Sequence, residues 1–174
     1  DRSEYWNEKS GPKWVKLDRA LNDRFAILTD ELFSRADIRK KDRVLDLGCG
    51  FADFYKWLKS KNIFVNYTGI DINPKLIEVA SKIHPEANFI NKDIQKDGIE
   101  DCYDFIVCSQ TFNNKLIKED NLELIKSVIE ICFDSCKEGL AIDMLSNYVD
   151  FKENHLYYYK PEKVFSFCKT LTKR

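Results

Sequence analysis

Histidine is scarce in this chain. The 174 residues contain two, His84 and His155, and neither stands beside a cysteine pair. The six cysteines are Cys49, Cys102, Cys108, Cys132, Cys136 and Cys168, and no two of them are spaced C-x-x-C. A metal site is therefore not expected. A disulfide framework is not expected either in a chain long enough to bury an ordinary core. Charge of one sign is not in excess: 28 Lys and Arg against 29 Asp and Glu give a formal net charge of −1. That removes any global attraction to nucleic acid, although a local basic face stays open. Basic residues are interspersed with acids, as on solvated helix surfaces. Also missing are an apolar run of bilayer length, a signal-peptide pattern, internal repeats, a linker and any low-complexity stretch. The expectation is one domain over residues 1–174 of a soluble, cytoplasmic protein.

What is present is alternation. Apolar residues at Leu17, Leu21, Phe25, Leu28 and Leu32 repeat near the helical period, so Val15–Ser34 reads as an amphipathic helix. Residues 1–40 then form N-terminal cap helices before a core over 41–174. Strands are expected from Val44, over Asn66–Asp71, Ala87–Asn91, Tyr103–Cys108 and Gly139–Leu145. Helices are expected over Asp53–Lys61, Pro74–Ile83, Leu116–Cys136 and Pro161–Thr170. This order predicts an α/β, doubly wound, mostly parallel sheet with helices on both faces.

The chemistry concentrates at Val44–Phe54, V-L-D-L-G-C-G-F-A-D-F. A short apolar run ends in an acid, turns through Gly48 and Gly50, and re-enters a helix at Asp53. Such a turn brings backbone N–H groups and a helix start against a ligand without an obstructing Cβ. A dinucleotide turn reads G-x-G-x-x-G/A, but the third position here is Asp53. The chain reads D-x-G-x-G-x-A instead. Asp46 at the strand tip repels a pyrophosphate and attracts an ammonium group. Further acids follow at later strand ends. Asp71 lies about 20 residues beyond the turn, where a carboxylate accepts ribose hydroxyls, with Ile72 as an apolar plate. Asp93 and Ile94 follow the third strand, and Ser109-Gln110-Thr111-Phe112-Asn113 follows the fourth.

Asp46-x-Gly48-x-Gly50, with these acids in order, resembles the class I S-adenosylmethionine (SAM)-dependent methyltransferases, and in particular bacterial small-molecule methyltransferases. The resemblance covers nearly the whole chain. It implies that Asp46, Gly48, Cys49 and Gly50 hold the methionine end of SAM, Asp71 the ribose, and Ile72, Asp93 and Ile94 the adenine. Ser109 and Gln110 would close the site near the sulfonium. Tyr5 and Trp14, in the N-terminal Y-W-N…G-P-K-W stretch, would form a lid; packing against the domain is the equal alternative. The family's sheet has seven strands, the last two a hairpin, whereas this sequence ends at Arg174 just after the expected last helix. The expectation is a fold lacking those two strands, with strand five an apolar edge through which a homo-oligomer could form.

The S-Q-T-F-N loop differs from the [D/N]-P-P-[Y/F] loop of nucleic-acid N-methyltransferases, so a small-molecule acceptor, O- or N-methylated, is expected and nucleic acid is not. The segment after strand five is dense in polar aromatics. Asn113, Asn147, Tyr148, Asp150, His155 and Tyr157 to Tyr159 are candidates for the acceptor side, with His155, Asn113 and Tyr157 the candidate catalytic groups. The tyrosine run also reads as a half-buried loop anchor, and a lone loop histidine as a surface residue. Two rival readings remain: a SAM-binding module without catalysis, and an NAD-linked oxidoreductase, which the glycine register disfavours.

Overall fold

The structure is a computed structural model and describes residues 37–172. Five strands run in chain order as β1 (Arg43–Leu47), β2 (Asn66–Asp71), β3 (Asn88–Asn91), β4 (Tyr103–Cys108) and β5 (Cys136–Ile142). They pair in the order β3-β2-β1-β4-β5, every pair parallel. The helices are α1 (Asp53–Ser60), α2 (Pro74–Ile83), α3 (Ile94–Asp97), α4 (Asn121–Ser135) and α5 (Pro161–Leu171). The expected α/β class is observed. The order reverses between β1 and β4, and in open parallel sheets that switch point opens a crevice outside the strands' C-terminal ends.

Strand alternation divides the core. Leu45 and Leu47 of β1 and Ile106 and Cys108 of β4 pack with Leu124, Ile125, Val128, Ile129 and Cys132 of α4. Val44 and Val107, one position out of phase, pack with Ala52, Phe54, Leu58 and Ala80 on the α1–α2 side. Both layers contain fully buried aliphatics, as a sheet covered on two faces requires.

Local signals explain the boundaries. Asn73 caps α2 by accepting the Lys75 N–H at 3.0 Å, and Pro74 opens the first turn. Two boundaries differ from the sequence expectation. α4 begins at Asn121, not Leu116, because Asp120 caps it by accepting the Leu122 and Glu123 N–H groups. β5 occupies Cys136–Ile142 rather than Gly139–Leu145, because α4 passes into it without a loop. The short α3 was not expected; Asp93 caps it and Gly98, at φ +66°, ends it. β5 pairs with β4 alone among the described strands, and beyond it Tyr159 donates its N–H to the Leu145 carbonyl at 2.7 Å. The helix expected over Val15–Ser34 lies outside the described residues. Among the described residues no helix is long and apolar enough to cross a membrane.

Candidate functional site

A cavity opens at the switch point, lined by residues from the ends of β1, β2 and β4 and from α3 and α4. Of the expected site residues it gathers Gly48, Gly50, Asp71, Ile72, Asp93, Ile94, Ser109 and Gln110. Asp46 and Cys49 are not among its lining, and Tyr5 and Trp14 lie outside the described residues.

The two glycines serve different purposes. Gly48 has φ +74°, and a Cβ there would lie 2.1 Å from Thr111 Oγ1. Gly50 has φ +53°, and its Cβ would meet nothing within 4 Å, so it faces open cavity. The N–H groups of the turn do not face a ligand as expected. Gly48 and Cys49 donate to the Ile70 carbonyl at 2.7 and 3.1 Å, and Gly50 donates to Asp71 Oδ2 at 3.1 Å. With those donors engaged by β2, the turn has no N–H nest for a pyrophosphate.

Asp46 is 4% exposed and accepts the Tyr67 hydroxyl at 2.6 Å. Alternation along β1 puts it on the α1–α2 face with Val44 rather than in the crevice. Burial pushes its carboxyl up to about 7, against the Tyr67 hydrogen bond, with Asp71 and Asp53 adding repulsion. Cys49 also turns inward: its Sγ would lie 2.9 Å from a Cβ on Gly69, and Phe89 Cδ1 2.8 Å from it. Only glycine fits at position 69, which the sequence did not flag. Burial raises the Cys49 thiol well above its ordinary range, so it is not a reactive thiolate.

Asp71 is 9% exposed yet borders the cavity. Its Oδ1 accepts the Asn73 N–H at 2.8 Å and its Oδ2 the Gly50 N–H. Burial raises this carboxyl to about 6, and the two backbone donors hold it lower than burial alone would. Each oxygen retains a second lone pair. Asp93 accepts the Gln95 N–H at 3.2 Å while bordering the cavity. Apolar walls come from Ile72, Leu76, Ile94, Leu124 and Val128.

The remaining wall is the turn after β4. Ser109 Oγ donates to Asp143 Oδ2 at 2.7 Å and the Gln110 N–H to Asp143 Oδ1 at 2.5 Å. Thr111 Oγ1 donates to the Leu47 carbonyl at 3.2 Å, or to that of Ser109 at 3.1 Å. Asn121 locks the following loop, accepting the Leu116 N–H and donating to the Asn114 carbonyl. Thr111 was read only as part of the loop after the fourth strand, and Asn121 and Asp143 were missed in the sequence. An Asn behind an Asp at a helix start carries no distinguishing signal, and Asp143 meets its partners only through the β4–β5 pairing.

The three candidate catalytic groups, expected on the acceptor side, are not among the lining of this cavity. Asn113 Oδ1 accepts the Leu145 N–H at 2.9 Å, and the Asn113 carbonyl accepts the Tyr157 N–H at 2.9 Å. His155 is exposed, and its carbonyl accepts the Lys115 N–H at 2.9 Å. Tyr157 sits edge-on to Tyr159, ring centroids 4.8 Å apart. Tyr159 is 1% exposed and donates its hydroxyl to the Phe112 carbonyl at 2.8 Å. The 155–159 segment is thus a brace holding the loop after β4, through antiparallel backbone bonds between 113–115 and 155–157 and the Tyr159 hydroxyl. The other acceptor-side candidates are not cavity lining either: Tyr148 and Asp150 are exposed, Asn147 donates its N–H to the Tyr159 carbonyl, and the Tyr158 hydroxyl accepts the Glu153 N–H.

The cavity's residues fit SAM in kind: open space at Gly50, a buried carboxylate at Asp71, and apolar side chains at Ile72 and Ile94. The family described as "Methyltransferase domain" matches residues 44–133. Two curated relatives are similar. The protein Rv1506c of Mycobacterium tuberculosis, to which a methyltransferase role is ascribed, is 27% identical over 128 residues, 71% of this chain and 76% of its own length. Trans-aconitate 2-methyltransferase of Escherichia coli O157:H7 is 28% identical over 122 residues, 69% of this chain but 46% of that enzyme. In fold, the chain is similar to magnesium protoporphyrin IX methyltransferase of Synechocystis PCC 6803 with bound SAH: TM-score 0.75 and 14% identity, covering 97% of this chain and 86% of that one.

Proposed function

The chain belongs to the SAM-dependent methyltransferase family, and from that premise we propose that it methylates a small-molecule acceptor at oxygen or nitrogen. The observation that carries this reading is the junction of the glycine turn with Asp71 at one end of the crevice. When bound, SAM supplies an electrophilic methyl group on a positive sulfur. Asp71 accepts the ribose hydroxyls with its remaining lone pairs. Ile72 and Ile94 would give the adenine apolar contact, and Asp93 would accept from its amino group. The open face of Gly50 admits the methionine end, and Ser109 and Gln110 wall the region where the methyl is presented. Asp46 contributes at one remove, as a buried carboxyl behind the turn that accepts the Tyr67 hydroxyl.

Methyl transfer is an in-line displacement, so alignment and exclusion of water supply much of the rate. The titratable groups lining the cavity, among the described residues, are Asp71, Lys92 and Asp93. No histidine is among them, which suits an acceptor that is nucleophilic without a strong base. We take residues 1–174 as one donor-binding domain with 1–40 as its cap, and place it in the cytoplasm, where its six free cysteines stay reduced. The side of β5 that no described strand pairs makes self-association through that edge part of the same reading.

Calorimetric titration with SAM and with NAD tests the donor, with SAM alone expected to bind. A labelled-methyl screen over metabolite pools tests catalysis. SAM binding without a methylated product in any pool would instead favour a binding module.

A further inference from the structure

We infer that Asp143 is a positioning residue for the donor site, holding the turn Ser109–Thr111 in the conformation that forms the cavity wall. The inference rests on the reading that this cavity takes SAM. Gln110 stands at φ +57°, a left-handed conformation that side-chain-bearing residues disfavour and that persists only where the surroundings impose it. Asp143 supplies that constraint. Its two oxygens take the Ser109 hydroxyl and the Gln110 N–H separately, a fork spanning both residues. The fork is fixed by the sheet, because the Asp143 N–H donates to the Cys108 carbonyl at 3.1 Å, one position beyond the β4–β5 ladder.

The carboxyl is pushed above the usual range by burial and drawn back by Ser109 and then Gln110. Those two donors are thus the compensation for a mostly buried anion, and the contact is strong in both directions. Beyond Gln110 the chain reaches Thr111, which lies against Gly48 and bonds the Leu47 carbonyl. A turn released from Asp143 therefore shifts Thr111 and the glycine turn with it, on the donor side of the cavity.

SAM titrations on the full chain decide this, comparing Asp143→Ala, Asp143→Asn, Gln110→Gly and the double variant Asp143→Ala/Gln110→Gly. Asp143→Ala is expected to weaken SAM binding at least tenfold. Asp143→Asn should stay within threefold, because its amide oxygen accepts the Gln110 N–H while its NH₂ donates to Ser109 Oγ. In the Gln110→Gly background, where the left-handed turn is no longer strained, Asp143→Ala should also cost less than threefold. Parent-like affinity in Asp143→Ala, or an equal loss in both backgrounds, would overturn the inference. If Asp143→Ala does not fold, Gln110→Gly alone decides: relief of strain raises the unfolding midpoint by about 2–4 °C, and a lowered midpoint refutes it. Failure of the parent chain itself to bind SAM would remove the donor reading together with this one, and is distinguishable because it precedes any substitution.

Discussion

Alanine at Gly48 and at Gly50 should produce two different defects, although the residues are two apart in one turn. Both have positive φ, so alanine costs about 1–2 kcal/mol of backbone strain at either position. At Gly48 the new Cβ would also lie 2.1, 2.5 and 2.9 Å from three atoms of Thr111. Thr111 is β-branched and tied to the Leu47 carbonyl, so it cannot rotate away cheaply. Overpacking of this kind typically adds about 1–3 kcal/mol, for a total near 3 kcal/mol. In a domain of this size that lowers the unfolding midpoint by roughly 6–12 °C. At Gly50 the Cβ meets nothing within 4 Å, so the stability loss should be about half as large. That Cβ instead enters the cavity, and SAM affinity should fall at least tenfold, about 1.4 kcal/mol. Urea unfolding and SAM calorimetry on both variants separate the effects, and Thr111→Gly should restore part of the stability lost in Gly48→Ala. Equal stability of the two variants would refute the packing argument. Parent-like SAM affinity in Gly50→Ala would refute the placement of the donor.

Two further outcomes concern the buried acids. Asp46, at about 7 in the folded chain, lies above its unfolded value near 3.9, so the native state binds the extra proton between them. Its contribution is fully present below about pH 4 and lost as pH rises through 7; Asp46→Asn should therefore gain on the parent by roughly 2–4 kcal/mol between pH 4 and pH 8, read from urea unfolding. A pH-independent difference would show that Asp46 is not buried as described. Asp71, at about 6, must be ionised to accept ribose hydroxyls, so SAM affinity of the parent should fall as pH drops through 6. Asp71→Ala should lose roughly 10–100-fold, the worth of one or two hydrogen bonds, and show no such decline; unchanged affinity would remove the ribose assignment.

The elements that were legible in the sequence are those whose signals are local. Asn66–Asp71, Tyr103–Cys108 and Pro74–Ile83 have the bounds that apolar content and the Asn73-Pro74 cap indicate. β5 was misplaced because no glycine or proline separates it from α4. α3 was missed because a four-residue helix has no amphipathic period to detect. The cavity-lining acids Asp71 and Asp93 were legible for a related reason: each stands at or just after a strand's end, and a parallel sheet delivers all strand ends to one edge.

Asp46 marks where that logic stops. It too ends a strand run, but whether a strand-end side chain enters the crevice depends on which face the pleat gives it. Tyr67 on β2, which receives Asp46, is adjacent only through β1–β2 pairing. Asn113, His155 and Tyr157 looked available for chemistry because their partners lie far along the chain. Folding brought 113–115 against 155–157 through backbone bonds, and the Asn113 amide oxygen accepts the Leu145 N–H. By itself the sequence determined the α/β order, the glycine turn and the acids that identify the methyl donor, since periodicity, capping and strand-end position act between near neighbours. Only the tertiary structure decided which of those acids face the cavity, why Gly48 must be glycine, and that Asp143 holds the opposite wall. Those depend on strand register and on contacts between residues distant in sequence, which no local pattern records.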